Sequence, residues 1–303
     1  MNCININKKI IYAVISVLIS VCLLILSGCG FFEELLDVFL EPEIDLDGNF
    51  AAHFIDVGQG DCILIQTPEN YFMLIDTGER DNHGKITEYL KRFKVSEFEY
   101  VIFTHPHADH IGSADLIVRD YKINTLIMPN IYHTTQTFER LVTEIENKNM
   151  QITMPVPGEV FKFGGAEFVI LAPLSEEYKN NNLNNYSVSI KMTYKNTSFL
   201  FTGDMEKESE DEVMAYHGLN NPGLLSADVL DVAHHGSSSS TQQNFLELVN
   251  PSFAVISVGR DNRYNHPSLQ TIGRLESVGA RILRTDLDGD IIIVSDGDNL
   301  SVR

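Results

Sequence analysis

Two hydrophobic periods take turns along this chain. Short apolar runs closed by Asp, Gly, Pro or Asn read as strands at Phe50–Asp56, Cys62–Gln66, Phe72–Asp76, Val101–Phe103 and Thr125–Met128. Between and after them, apolar residues at helical spacing predict helices over Lys85–Phe93, Ser113–Asp120 and Thr135–Lys148. β-rich text follows at Gln151–Met154, Glu159–Phe163 and Glu167–Leu171, and Ser187–Tyr194 with Ser198–Thr202 predicts a hairpin turned at Lys195-Asn196. The second half alternates again. Helices are expected over Glu206–Tyr216, Thr241–Val249 and Ser268–Val278, and strands over Val229–Ala233, Phe253–Ser257, Arg281–Arg284 and Asp290–Val294. Strand-strand neighbours and β/α alternation in both halves predict an α/β (α+β) fold of two sheets face to face with helices outside. A single doubly wound sheet is the alternative, and the early strand-strand neighbours argue against it.

The first stretch obeys neither period. Lys8 and Lys9 precede an unbroken apolar run from Ile10 to Leu26 that closes on Leu26-Ser27-Gly28-Cys29. This resembles a bacterial lipoprotein signal, with residues 1–28 removed and lipid attached to Cys29. An uncleaved transmembrane anchor is the alternative reading. Both place the remainder outside the cytoplasmic membrane. Residues 29–49 are acidic, contain Pro42 and Gly48, and read as a tether to a domain at 50–303. With Cys3, Cys22 and Cys29 assigned to the leader, Cys62 alone remains, so no internal disulfide is expected. The 303 residues are 44% hydrophobic, enough for a substantial core, and carry a net charge of −20, which disfavours electrostatic grip on a nucleic acid.

Candidate chemistry concentrates in Val101–Gly112, V-I-F-T-H-P-H-A-D-H-I-G. His105 and His107 sit two apart, so on an extended segment both project to one side. Asp109 and His110 follow where the chain turns, and reach a second point. Imidazole and carboxylate are ligands for a borderline divalent ion such as zinc, and two pairs with different directions suggest two ions. H-x-H-x-D-H after a hydrophobic strand resembles the signature of the metallo-β-lactamase-fold hydrolases. The surrounding text resembles the hydrolase domain of the competence protein ComEC and its free-standing relatives. The resemblance spans roughly Phe50 to Arg303 and implies a four-layer αββα sandwich.

That resemblance assigns further residues. Asp204, in Thr202-Gly203-Asp204, is expected to bridge the two ions, since a carboxylate reaches ions about 3.5–4 Å apart; capping the next helix is its alternative task. In Ala233-His234-His235-Gly236-Ser237, read as an extended strand end on which neighbours face opposite ways, His235 is expected as a ligand and His234 as a substrate or proton-transfer group, with Ser237 on the substrate side. Asp76, in L-I-D-T-G, is expected to orient a metal-bound imidazole. Asp56 and Asp61 flank a Gly-Gln-Gly turn and are expected to line the same rim, or simply to build the turn. One departure stands out. Where many members of the fold carry another histidine, this chain has Asn184-Asn185-Tyr186-Ser187, as in the ComEC-like branch. The first ion is then left with His105, His107, Asp204 and help from Asn185, an oxygen-richer site that would accept manganese as well as zinc. His133, the only histidine in that interval, lies before a helix without strand-end context. His266, in Tyr264-Asn265-His266-Pro267, with Arg260 and Arg263, is expected to contact substrate phosphate. His53, His83 and His217 are expected at the surface or in packing.

Together these readings imply a metal-dependent hydrolase, a dinuclear phosphodiesterase or nuclease-like enzyme held by lipid on the outer face of a bacterial membrane. A phosphodiester-containing small molecule or DNA is the expected partner. A lactone or β-lactam hydrolase and a non-catalytic metal-containing lipoprotein are the alternatives.

Overall fold

The computed structural model describes residues 46, 48–218, 221 and 223–303. The leader, Cys29 and nearly all of the tether lie outside the described residues, whose compact unit runs from Leu46 to Arg303.

Among the described residues, one sheet has the order β15-β14-β1-β2-β3-β4-β5-β6. Its strands are β1 (Phe50–Phe54), β2 (Ile63–Gln66), β3 (Phe72–Ile75), β4 (Glu97–Ile102), β5 (Lys122–Ile127), β6 (Ile152–Thr153), β14 (Ile291–Ser295) and β15 (Leu300–Val302). The other has the order β13-β12-β11-β10-β9-β8-β7. It comprises β7 (Val160–Phe163), β8 (Ala166–Ala172), β9 (Ser189–Tyr194), β10 (Thr197–Phe201), β11 (Val229–Asp231), β12 (Phe253–Ile256) and β13 (Arg281–Arg284). Period-2 alternation divides each strand between two faces. Phe54, Ile63, Ile65, Phe168, Phe199, Phe201 and Ile293 enter a core shared by the two sheets. The opposite face of the first sheet supplies Leu64, Leu74 and Val101 to helices α1 (His83–Arg92), α3 (Ala114–Asp120) and α4 (Gln136–Asn147). The opposite face of the second supplies Leu200, Leu230 and Ala254 to α5 (Lys207–Val213), α6 (Gln243–Val249) and α7 (Leu269–Ser277). Three cores between four layers make the αββα sandwich. Two short helices, α2 (Ala108–Ile111) and α8 (Thr285–Asp288), complete the set.

Strand direction decides where the chemistry goes. β3, β4 and β5 are mutually parallel in one sheet, and β10, β11 and β12 in the other. Their carboxyl ends carry Asp76, the histidine loop, Asp204, the His234-His235 pair and the loop to His266. Loops leaving parallel strands at one edge are where α/β proteins place ligands. β2 and β9 run antiparallel, so the residues just before them, Asp61 and Asn184–Ser187, come to the same edge.

Several boundaries depart from the sequence reading. β4 starts at Glu97, because half-exposed Glu99 and Tyr100 extend the ladder beyond the apolar run. β15 and α8 are too short and polar to show a period. The His234-His235 segment is a 3-10 turn with both residues at φ 54, not an extended strand end. His53 takes the packing role of its two expected ones, fully buried; its Nδ1 lies 3.0 Å from Tyr89 Oη, and burial pushes its pKa down to about 3. No helix among the described residues is long and apolar enough to cross a membrane.

Candidate metal centre

Asp204 lies at the middle of the site. Gly203 before it sits at φ 52, and a Cβ there would press on Thr104, 3.0 Å away. The left-handed glycine thus lets β10 end against the histidine loop. The Asp204 N–H donates to Ser187 Oγ (3.0 Å), which fixes the carboxylate with its two oxygens facing different groups. Oδ2 lies 3.6 Å from His105 Nε2, and His107 Nδ1 is 2.9 Å from that same nitrogen. Oδ1 lies 3.2 Å from His110 Nε2 and 3.6 Å from His235 Nε2, and His235 Nε2 is 3.4 Å from Asp109 Oδ2. His105, His107 and Asp204 form one group whose atoms could hold a metal ion; Asp109, His110 and His235 form another.

Backbone and outer partners hold these rings. Thr104 N–H and Oγ–H donate to the two oxygens of Asp76 (2.8 and 2.5 Å), and Asp76 Oδ2 lies 2.7 Å from His110 Nδ1. Asp61 is buried beneath the centre, with Oδ1 3.3 Å from His235 Nδ1 and Oδ2 3.8 Å from His110 Nδ1. It reaches that depth because Gly60, at φ 123, lets the turn touch Asp109, whose carbonyl oxygen would lie 2.1 Å from a Cβ. His235 Nδ1 is also 2.9 Å from the Ser257 carbonyl oxygen. Carboxylates and carbonyls behind imidazoles fix tautomer and ring angle. Asp76, His234 and His235 all have positive φ, a conformation that costs energy outside glycine and concentrates at functional sites.

The electrostatics agree with a cation. Burial opposes charge on Asp204, but the imidazoles of His110, His235, His234 and His105 outweigh it and hold its carboxyl well below the usual range. Three atoms, His110 Nε2, His235 Nε2 and Asp204 Oδ1, are buried without hydrogen-bond partners although they converge. Leaving such atoms unpaired costs about 1–3 kcal/mol each. A divalent ion satisfies two imidazole lone pairs and a carboxylate oxygen at once, so the donor set fits.

The other expected residues surround this centre. His234 is part-buried, with Nε2 3.8 Å from Asp204 Oδ2 and Nδ1 3.2 Å from Glu206 Oε1. His266 lies with its ring centroid 5.7 Å from that of His234, stacked on Tyr264; burial, then the charges on His234 and His235, push its pKa down to about 4. The Arg260 guanidinium donates to the Asp286 carbonyl (2.9 Å), and Arg263 donates to Tyr264 Oη (2.6 Å). Ser237 Oγ meets Ser239 Oγ (2.9 Å). Asn185 Oδ1 accepts the Glu206 N–H (3.1 Å) and lines an open polar groove of about 1000 Å³ beside the centre. Asp56 stands apart, paired with Lys85 (2.9 Å). Sequence reasoning passed over Glu206 and underrated His133, whose ring centroid is 6.3 Å from that of His107. His133 does have strand-end context, because β5 is parallel to β4 and its exit loop lies beside the histidine loop.

The Metallo-beta-lactamase superfamily model matches residues 55–260, and the chain belongs to that superfamily as a metal-dependent hydrolase. It is 30% identical over 271 residues to ComE operon protein 3 of Bacillus subtilis, covering 84% of this chain and 34% of that protein. It is 28% identical over 255 residues to competence protein ComA of Neisseria gonorrhoeae, covering 83% and 33%. The chain thus spans about a third of the length of these curated relatives. Among solved structures, the metallo-β-lactamase-fold protein YhfI from Bacillus subtilis shares the fold at a TM-score of 0.51 and 10% identity, over 84% of this chain and 100% of that one.

Proposed function

We propose that this chain is a dinuclear-metal phosphodiesterase, held on the outer face of the membrane through lipid at Cys29. The observation that carries the proposal is the single carboxylate of Asp204 facing two ligand groups, one per oxygen, with converging buried atoms otherwise unpaired. His105, His107 and Asp204 Oδ2 would hold the first ion; Asp109, His110, His235 and Asp204 Oδ1 the second. Zinc fits the imidazole-rich donors, and manganese the oxygen share. When bound, such a pair lowers the pKa of a water toward about 7 and polarises a phosphoryl oxygen.

The chain's own residues supply the rest. Asp76 and Asp61 fix the rings of His110 and His235 through Nδ1. His266, kept neutral by burial, offers a hydrogen bond from the loop after β12, and Asn185, Ser237, Arg260 and Arg263 stand on the substrate side. Kinship with competence proteins supports the phosphodiester bond. The net charge of −20 and the groove beside Glu206, lined by Glu206, Glu208, Asp211 and Glu212 against Lys179 and Lys207, favour a small diester over a long polyanion such as DNA.

The test is turnover of bis(p-nitrophenyl) phosphate by full-length, detergent-solubilised protein, stripped of metal and then given zinc or manganese. Metal-dependent release of nitrophenol that disappears in Asp204→Ala supports the reading. No turnover with either ion bound sinks it and turns attention to lactones and β-lactams. Lipid attachment is checked separately by labelling with a fatty acid, which Cys29→Ala should abolish.

A further inference from the structure

The turn that delivers His235 also delivers His234, and the two rings obey one rule. His110 has Nδ1 on Asp76 (2.7 Å) and Nε2 3.2 Å from Asp204 Oδ1. His235 has Nδ1 3.3 Å from Asp61 and Nε2 3.6 Å from the same oxygen. His234 repeats the pattern on the other side: Nδ1 is 3.2 Å from Glu206 Oε1, and Nε2 is 3.8 Å from Asp204 Oδ2. That is the oxygen His105 Nε2 approaches at 3.6 Å, so His234 stands almost as close to it as an expected ligand does. The left-handed backbone at both histidines sends neighbouring rings to opposite oxygens of one carboxylate, their centroids 6.1 Å apart at 72°.

Glu206 is itself held. The amides of Asn184 and Asn182 donate to Oε1 and Oε2 (2.9 Å each), and Asn185 accepts its backbone N–H (3.1 Å). A carboxylate gripped in this way accepts Nδ1–H from His234 and leaves the Nε2 lone pair facing the pocket, the tautomer that a metal needs.

We infer that His234 is a further ligand of the first ion, with Glu206 as its positioning residue and the turn 182–185 as the holder of Glu206. This departs from the sequence expectation of a substrate or proton-transfer role for His234, and it rests on the two-ion reading above.

The experiment is metal content per chain, by plasma mass spectrometry, of full-length protein loaded with manganese or zinc and dialysed against graded chelator. Wild type should hold about two ions and His234→Ala about one under the same dialysis. Glu206→Gln should keep both at saturation but bind the first roughly 10–100-fold more weakly. His266→Ala, altered beside the same ring, should retain both with unchanged affinity. Circular dichroism checks the fold of each variant, and if His234→Ala does not fold, Glu206→Gln decides. Wild-type affinity for both ions in the folded His234 and Glu206 variants would overturn the inference while leaving the two-ion reading intact. A wild-type chain that never holds a second ion overturns that reading, and this inference with it.

Discussion

The two halves of the centre share Asp204 but are built differently around it. In the half containing Asp109, His110 and His235, imidazoles rest on buried carboxylates, Asp76 and Asp61. In the half containing His105 and His107, the nearest partners of His105 Nδ1 are the hydroxyls of Thr104 (3.1 Å) and Ser187 (3.4 Å). His107 is only part-buried, and His133 and His234 flank this side. Negative charge raises ligand basicity and draws a cation, whereas hydroxyls orient a ring without adding charge. The pocket backed by Asp76 and Asp61 is therefore expected to hold its ion more tightly than the other. A protein can make two sites from similar ligands and give them different tasks through what stands behind them.

The shared carboxylate is the most severe place to break this arrangement. Asp204→Ala should cut phosphodiester turnover by at least on the order of 10³-fold, beyond the roughly 10–100-fold typical of an orienting partner. Retention of both ions and most activity would mean that the halves do not depend on one residue. The asymmetry is sharpened by chelator titration of wild type, which should release the two ions in separate steps, the His105-His107 ion first. Asp76→Asn should weaken the later step by about 10–100-fold and narrow the separation. Equal weakening of both steps would erase the distinction between the pockets.

Metal should also stabilise the fold. At a free concentration about a hundredfold above Kd, an ion bound only by the native state adds about 2.7 kcal/mol, which for a domain of this size raises Tm by roughly 5–10 °C. A melting curve indifferent to zinc and manganese would contradict a site assembled by folding.

A further effect concerns the loop after His235, whose Ser238 and Ser239 line the groove beside Glu206. The loop Ser238–Thr241, after His235, is held by Arg274, which donates to the Ser240 carbonyl (2.9 Å), and by Glu210, which accepts the Thr241 and Gln242 N–H groups. Burial raises the Glu210 pKa from 4.5 to about 7, against the opposing pull of these N–H groups and Arg274. A raised carboxyl pKa contributes stability that is fully present below about 4.5 and is lost as pH rises through about 7. The contribution is at most roughly 3 kcal/mol. Glu210→Gln should flatten the fall in urea stability of metal-free protein across that window, and unchanged slopes would remove Glu210 from the account.

The legibility of the sequence follows the same division between local and distant partners. His105, His107, Asp109 and His110 announce themselves because one strand exit carries all four. Asp204 and His235 each follow closely on a strand, and the apolar runs reveal those strands and hence the two-sheet sandwich. Glu206 could not be read, because its meaning depends on His234 and on Asn182 and Asn184, which meet it only when β9 and β10 pair. His133 needed the parallel register of β4 and β5. Asp61 reads as a rim or turn residue, since nothing local says that Gly60 lets it sink beneath two imidazoles. The His234-His235 turn was misjudged as extended because left-handed backbone at two consecutive non-glycine residues has no compositional signal.

Everything above turns on two ions, one on either side of Asp204. Anomalous diffraction from crystals of manganese- or zinc-loaded protein tests it directly. Two peaks about 3.5–4 Å apart are expected, one against each oxygen of Asp204. A single peak, or two peaks that do not share this carboxylate, would contradict it.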